Sequence, residues 1–180
     1  MAAEIHIIGS VDCATGFPSN RLFCKWNLEI GYDFIKLNSI IEGRSEGQTQ
    51  VDLSEVDDIA CFSHPIDVHL ATKTVQGWPS IKLEVWHFDE FGRQQIYGYG
   101  FVYVPVASGE HKLDCYIWRP KGDTREEMML YFLGGGMQLA TASLSSHFTQ
   151  TVKLRTVAMG TVKLLLSVIT RHFDRFGIIS

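Results

Sequence analysis

Ile81-Lys82-Leu83-Glu84-Val85-Trp86-His87-Phe88 is followed by Asp89-Glu90-Phe91-Gly92 and then by Ile96-Tyr97-Gly98-Tyr99-Gly100-Phe101-Val102-Tyr103-Val104. In the first run Ile81, Leu83 and Val85 alternate with Lys82, Glu84 and Trp86. A period of two sends one set of side chains to each face of a sheet, so the run reads as a strand. Asp89 to Gly92 is a turn signal. The second run is another strand, with Tyr97, Tyr99, Phe101 and Tyr103 on one face and Ile96, Gly98, Gly100, Val102 and Val104 on the other. Glycines inside a strand mark a bend or a close approach by another backbone or ring. The tyrosine row is too apolar for a fully wet face and calls for cover from within the chain or from another protein.

The same period recurs along the chain. Ile66, Val68 and Leu70 alternate with Asp67 and His69, and Val162, Leu164, Leu166 and Val168 form a third apolar row. Strands are expected near 3–11, 22–30, 48–52, 58–63, 65–72, 80–88, 95–104, 110–118, 150–157 and 160–170. One segment looks helical, with Asp123 as its cap, acidic residues in its first turn and Gly134-Gly135-Gly136 as its stop, so a single short helix is expected near 123–133. Segments 37–47 and 137–149 read as loops. Many short strands divided by turn signals make an all-β sandwich or barrel.

At 180 residues the chain has the length of one domain and is read as one domain over 1–180. Hydrophobic residues are 46% and charged residues 20%, an ordinary globular mix that excludes a disordered tail or a coiled coil. Sixteen Lys and Arg against twenty Asp and Glu give a net charge of −4, which counts against nucleic acid as a partner. No basic and apolar leader opens the chain, no apolar run reaches the ~18 residues that span a bilayer, and no lipidation motif is present. The four cysteines, Cys13, Cys24, Cys61 and Cys115, lack zinc-finger spacing. They are expected to be reduced thiols in a cytoplasmic protein.

GxSxG, P-loop and GxGxxG patterns do not occur. In His64-Pro65-Ile66-Asp67-Val68-His69, Asp67 and His69 share a strand face while His64 points to the other. That supplies two donors where zinc takes three or four, so the group reads as ordinary polar residues unless a neighbouring strand adds a third. No enzyme activity, metal or cofactor is expected.

Leu83 to Gly98 resembles the third-loop region of C2 domains, which are calcium- and lipid-binding β-sandwiches. Their pattern there is an apolar strand, Trp-Asp-x-Asp, a five-residue loop, then Asp and Gly. The three Asp positions fall on His87, Asp89 and Gln95, so two of the three carboxylates are missing. Calcium takes 6–8 oxygen ligands, and carboxylate count tunes its affinity. The resemblance therefore implies a C2-like antiparallel β-sandwich whose calcium site is degenerate.

A second resemblance spans residues 3–177. Leu22-Phe23-Cys24-Lys25-Trp26, Glu46-Gly47-Gln48-Thr49-Gln50-Val51-Asp52, Ser63-His64-Pro65-Ile66-Asp67, Gln76-Gly77-Trp78-Pro79, Phe91-Gly92-Arg93, Gly98-Tyr99-Gly100 and Val104-Pro105 resemble the B9-domain family. The N-terminal Ala3-Glu4-Ile5-His6-Ile7-Ile8-Gly9, Trp118-Arg119-Pro120 and the closing Arg171-His172-Phe173-Asp174-Arg175-Phe176-Gly177 fit it as well. The resemblance implies a non-catalytic scaffold of the ciliary transition zone and basal body. Such a protein assembles with other B9-domain proteins in the Meckel-syndrome (tectonic-like) complex, which supports ciliogenesis and gates membrane-protein entry. Tubulin and anionic lipid are the other contacts open to such a module. For partner binding, the candidate residues are Trp78, Phe91, Tyr97, Tyr99 and Trp118, with Arg93 and Arg119 beside them. The competing reading is a calcium-independent lipid-surface module using Lys153, Arg155 and Lys163.

Overall fold

Strands dominate the computed structural model, which describes residues 3–19, 21–30, 39–53, 58–72, 77–133 and 155–173. They are β1 (Ala3–Thr15), β2 (Leu22–Glu29), β3 (Ser39–Gly43), β4 (Glu46–Gln48), β5 (Ile59–Thr72), β6 (Ser80–Phe88), β7 (Gln94–Tyr103), β8 (Gly109–Pro120) and β9 (Thr156–Arg171). One helix, α1 (Thr124–Leu133), lies between β8 and β9. All strand pairs are antiparallel, in the order β3-β5-β1-β9-β8-β7-β6-β2-β4.

The ladder is very uneven. β1 pairs with β5 and β9 along most of its length, and β8 does so with β9, but β8 meets β7 only at Tyr99 and Trp118. The sheet therefore curls there into two layers, β3-β5-β1-β9-β8 and β7-β6-β2-β4, joined by one narrow seam. Gly98 and Gly100 permit the crossing. A Cβ on Gly98 would lie 2.7 Å from the Trp118 carbonyl oxygen, and one on Gly100 would lie 2.6 Å from Ile117 Cδ1. The close approach anticipated from these glycines is made by β8. On the opposite side the layers are tied by side chains. Gln50 Nε2 donates to the Phe62 carbonyl at 2.6 Å, and the Cys61 N–H donates to Asp52 Oδ2 at 2.7 Å. The expected all-β, C2-like sandwich is what forms, with one short helix among the described residues.

Between the layers lies a single apolar core. Ile5, Ile7, Val11, Ile66, Val68, Leu70, Val162, Leu164, Leu166 and Val168 face Leu22, Cys24, Ile81, Leu83 and Val85, all almost fully buried. These are the inward positions of the period-two rows. Burying each such side chain is worth about 1.5–3 kcal/mol, which is how alternation selects the register.

Several boundaries differ from the sequence expectation. The two strands expected at 58–63 and 65–72 are one strand, β5, carrying a bulge against β1 with Ser63 at a positive φ of 44°. Pro65 is tolerated because β3 pairs only with Val68 to Ala71, leaving that stretch of β5 as an edge. Likewise, the break expected between 157 and 160 is a bulge within β9, where Gly160 and Ala158 oppose the consecutive Ile117 and Trp118. Residues 150–154 and 137–149 lie outside the described residues. The supposed loop at 37–47 contains β3 and the start of β4, edge strands that complete the ladder through backbone pairing. The strand expected at 48–52 is shorter and earlier, continued only by a bridge from Asp52 to Leu22.

A bulge also revises the tyrosine row. Val85 pairs with Gly98 and Trp86 with Ile96, so Tyr97 is the extra residue and Ile96 joins the face of Tyr99. Tyr99 is 5% exposed and tilts against Trp118 at 6.0 Å, and Tyr97 stacks on His87 at 4.9 Å. Cover for those two rings comes from within the chain, while Tyr103 stays exposed.

Candidate binding surfaces

The turn between β6 and β7 brings His87, Asp89 and Gln95 to its base. His87 and Gln95 are paired across the hairpin. Asp89 folds the turn around its own carboxylate. Its Oδ1 accepts from the Phe91 N–H at 2.9 Å and the Arg93 N–H at 2.7 Å, and its Oδ2 accepts from Arg93 Nε at 2.7 Å. The Asp89 N–H donates to the Arg93 carbonyl, and Gly92 takes the positive φ of 78° that closes the turn. Desolvation pushes the Asp89 carboxyl up, but the hydrogen bonds from Arg93 and Phe91 prevail and hold it below the usual carboxylate range. Beside it the His87 imidazole is held below its usual range by burial, with Asp89 acting upward and Arg21 downward. The one carboxylate retained from the C2 pattern is thus spent on an internal cation and two amides.

The seven partner-binding candidates do not form one surface. Phe91 and Arg93 stand together on the hairpin tip, the ring 83% exposed and the guanidinium 5.5 Å from its centroid. Tyr97 is half-buried against His87, and burial raises its hydroxyl pKa. Tyr99 and Trp118 form the seam between layers. Trp78 is half-buried, donating from Nε1 to the Val104 carbonyl at 2.7 Å with Phe173 edge-on to its ring. Arg119 grips α1. Its Nη1 and Nη2 each donate to a Glu127 carboxylate oxygen at 2.8 Å. Those bonds raise the Arg119 pKa and hold the Glu127 carboxyl down at about 2.

α1 begins with half of a capping box, the bond from the third helical residue back to the N-cap amide. The Asp123 side chain accepts from the Thr124 N–H, and Glu126 reaches back to the Asp123 N–H, both at 2.8 Å. Met128, Met129 and Phe132 are exposed on α1. Because β7 and β8 run antiparallel, α1 follows the end of β8 on the same side of the sandwich as the β6–β7 turn.

Of the candidate lipid contacts, Arg155 and Lys163 are exposed, and Lys163 is registered opposite Asp114, which offsets its charge. Lys153 lies outside the described residues. On the outer face of β6 and β2 is a cleft of about 550 Å³. Within it Lys82 is ion-paired to Glu29, and Lys25 lies 4.4 Å from the centroid of Trp86.

A third locus joins His69, which the sequence singled out, to Glu4 and His6, which it did not. Glu4 and His6 are two apart on β1 and so share its outer face, and His6 is registered directly opposite His69 of β5. The two imidazoles stack at 3.7 Å, 17° from parallel. Glu4 Oε2 lies 3.7 Å from His69 Nε2 and 3.7 Å from Arg171 Nη1. One donor atom from each of Glu4, His6 and His69 falls within 4.8 Å of the others. His69 thus gains donors from a neighbouring strand, whereas Asp67 is registered one row away, opposite Ile8. The signal was present as Glu4-x-His6 on the first strand, but only the register places it beside His69.

Residues 5–169 match the family model B9-C2, described as ciliary basal body-associated B9 protein. The chain belongs to the B9-C2 family. Among similar proteins of this family, B9 domain-containing protein 2 of Danio rerio and that of Xenopus laevis are each 49% identical over 176 residues, covering 98% of both chains. In the solved structures, the C2A domain of plant extended synaptotagmin 1 superposes with a TM-score of 0.45 at 11% identity, covering 93% of this chain and 94% of that one. The resemblance to the B9-domain family is thereby shown. Within this B9 chain no helix among the described residues is long and apolar enough to cross a membrane.

Proposed function

We propose that this B9 protein is a non-catalytic adaptor of the ciliary transition zone and basal body. It acts on the cytoplasmic side as a subunit of the Meckel-syndrome (tectonic-like) complex. There it assembles with other B9-domain proteins to support ciliogenesis and to gate entry of ciliary membrane proteins. The observation that carries this reading is the full-length match to a basal body-associated family. The exposed apolar side chains at one end of the sandwich, Phe91 on the hairpin and Met128, Met129 and Phe132 on α1, support it. Aromatic and Arg side chains are frequent interface anchors, and Phe91 with Arg93 supplies both on a turn already rigid before binding. A stable interface needs ~1,600 Å² in total, so the tip contributes only part of a contact that extends over neighbouring residues.

Mixing the purified chain with two other B9-domain proteins at micromolar concentration tests the reading. Co-elution as a complex on size exclusion is expected. A chain that stays monomeric in that mixture, but floats with phosphoinositide vesicles or pellets with microtubules, would transfer the function to lipid or tubulin contact.

A further inference from the structure

We propose that Glu4, His6 and His69 form a three-ligand site for a zinc-class divalent transition metal on the outer face of the β5-β1-β9 layer. It goes beyond the adaptor reading and does not rest on it. The site lies at the opposite end of the strands from the β6–β7 turn, because Glu4 opens β1 and pairs with Arg171 at the close of β9.

Convergence is the first ground. Donor atoms from three side chains on two strands lie within 4.8 Å of one another. Around a tetrahedral ion with bonds of about 2.0–2.2 Å, ligand atoms sit roughly 3.4 Å apart, so the cluster needs only modest contraction. The second ground is an unmet polar atom. His69 Nε2 is buried, has no hydrogen-bond partner and faces Glu4 Oε2 across 3.7 Å, too far for a hydrogen bond. A buried nitrogen without a partner is costly, and a cation between it and the carboxylate would satisfy both. Third, the donor set selects the ion. Two imidazoles and one carboxylate suit zinc and its neighbours, whereas calcium and magnesium favour all-oxygen sites.

The scaffold holds the ligands in place. β1 is paired on both sides through this region, so the Cα positions of Glu4, His6 and His69 are set by two ladders. The side chains must still move, because stacked rings direct their nitrogen lone pairs side by side rather than toward one point. Rotation about the Cβ–Cγ bonds brings them together. Arg171 takes the carboxylate's charge in the metal-free arrangement, and its side chain is 65% exposed and free to swing away. Glu42 stands opposite His69 on β3 and adds negative charge at the edge of the site. Three protein ligands leave a fourth position for water or for a donor from a partner.

The test uses the full chain, stripped with a chelator and titrated with cobalt(II) and zinc(II). One equivalent of cobalt with visible absorption of a tetrahedral complex is expected, displaced by zinc. His6→Ala and His69→Ala should each weaken zinc by more than the roughly 10–100-fold that loss of a supporting partner costs. Arg171→Ala should instead tighten it, a direction that a purely structural role for the cluster does not produce. As an exposed position it also serves should a histidine variant fail to fold. His111→Ala, elsewhere on the surface, should bind as the parent does. Absence of stoichiometric binding, or binding unchanged in the His6→Ala/His69→Ala double variant with its circular dichroism intact, overturns the proposal.

Discussion

Gly98 shows how a single missing methyl shapes this protein. A Cβ there would press on the Trp118 carbonyl and Ile117 Cγ2, both at 2.7 Å, and the backbone atom cannot yield without opening the seam. Gly98→Ala should destabilise by about 1–3 kcal/mol, read as a lower urea midpoint. The cysteines make a second contrast. Burial raises the Cys24 thiol pKa strongly and pushes Cys115 up to about 12, while Cys61 is exposed. The thiolate is the reactive form. Alkylation near neutral pH followed by mass spectrometry should label Cys61 first and spare Cys24 and Cys115 until the chain unfolds. The glycine pair was readable in the sequence as a close approach. Which strand approached was not, because β7 and β8 meet at one residue pair with no local pattern to announce it.

The helix α1 and the β6–β7 turn are held by local charge. Asp123 is legible as the cap of α1, and the structure bears that out, with its side chain accepting from the Thr124 N–H and Glu126 bonding its N–H. The Arg119–Glu127 pair was not legible, since it joins the end of a strand to a helix and only coordinates bring the two side chains together. Glu127 titrates well below its ordinary value near 4.5, at about 2, so the folded state binds its proton more weakly than the unfolded chain. Its contribution is therefore complete above about pH 5 and is lost as pH falls toward about 2. Glu127→Gln should destabilise by about 1–2 kcal/mol at pH 7 and flatten the acid limb of a stability–pH profile. In the β6–β7 turn, the sequence shows His87 and Gln95 where the C2 resemblance would place two carboxylates. The capture of the third by Arg93 needed coordinates.

For the molecule entire, the docking end we propose is the one where Phe91, Met128, Met129 and Phe132 are exposed. Phe91→Ala combined with Arg93→Ala removes the hairpin tip without touching the core. Asp89 keeps its bond to the residue-93 amide, so the melting temperature should change little. Association with other B9-domain proteins should weaken at least about tenfold by isothermal titration calorimetry, as expected when an aromatic and Arg anchor is lost. Equal affinity for parent and variant would move the interface elsewhere on the surface. The remaining candidates sort by what covers them. Tyr99, Trp118 and Trp78 are tied into the packing of the domain, and Tyr97 shares its exposure with His87.

Alternating side chains made the main strands and the core rows legible, because a period of two is a property of neighbours along the chain. The B9 motifs, spread along the length, named the family for the same reason. Long-range pairing lay beyond that reach. The bulges at Ser63, Tyr97 and Met159, the edge strand β3, the single-pair seam and the meeting of Glu4, His6 and His69 all depend on register between segments far apart in sequence. Register is chosen by the fit of two layers around a shared core, and no stretch of chain carries that information alone.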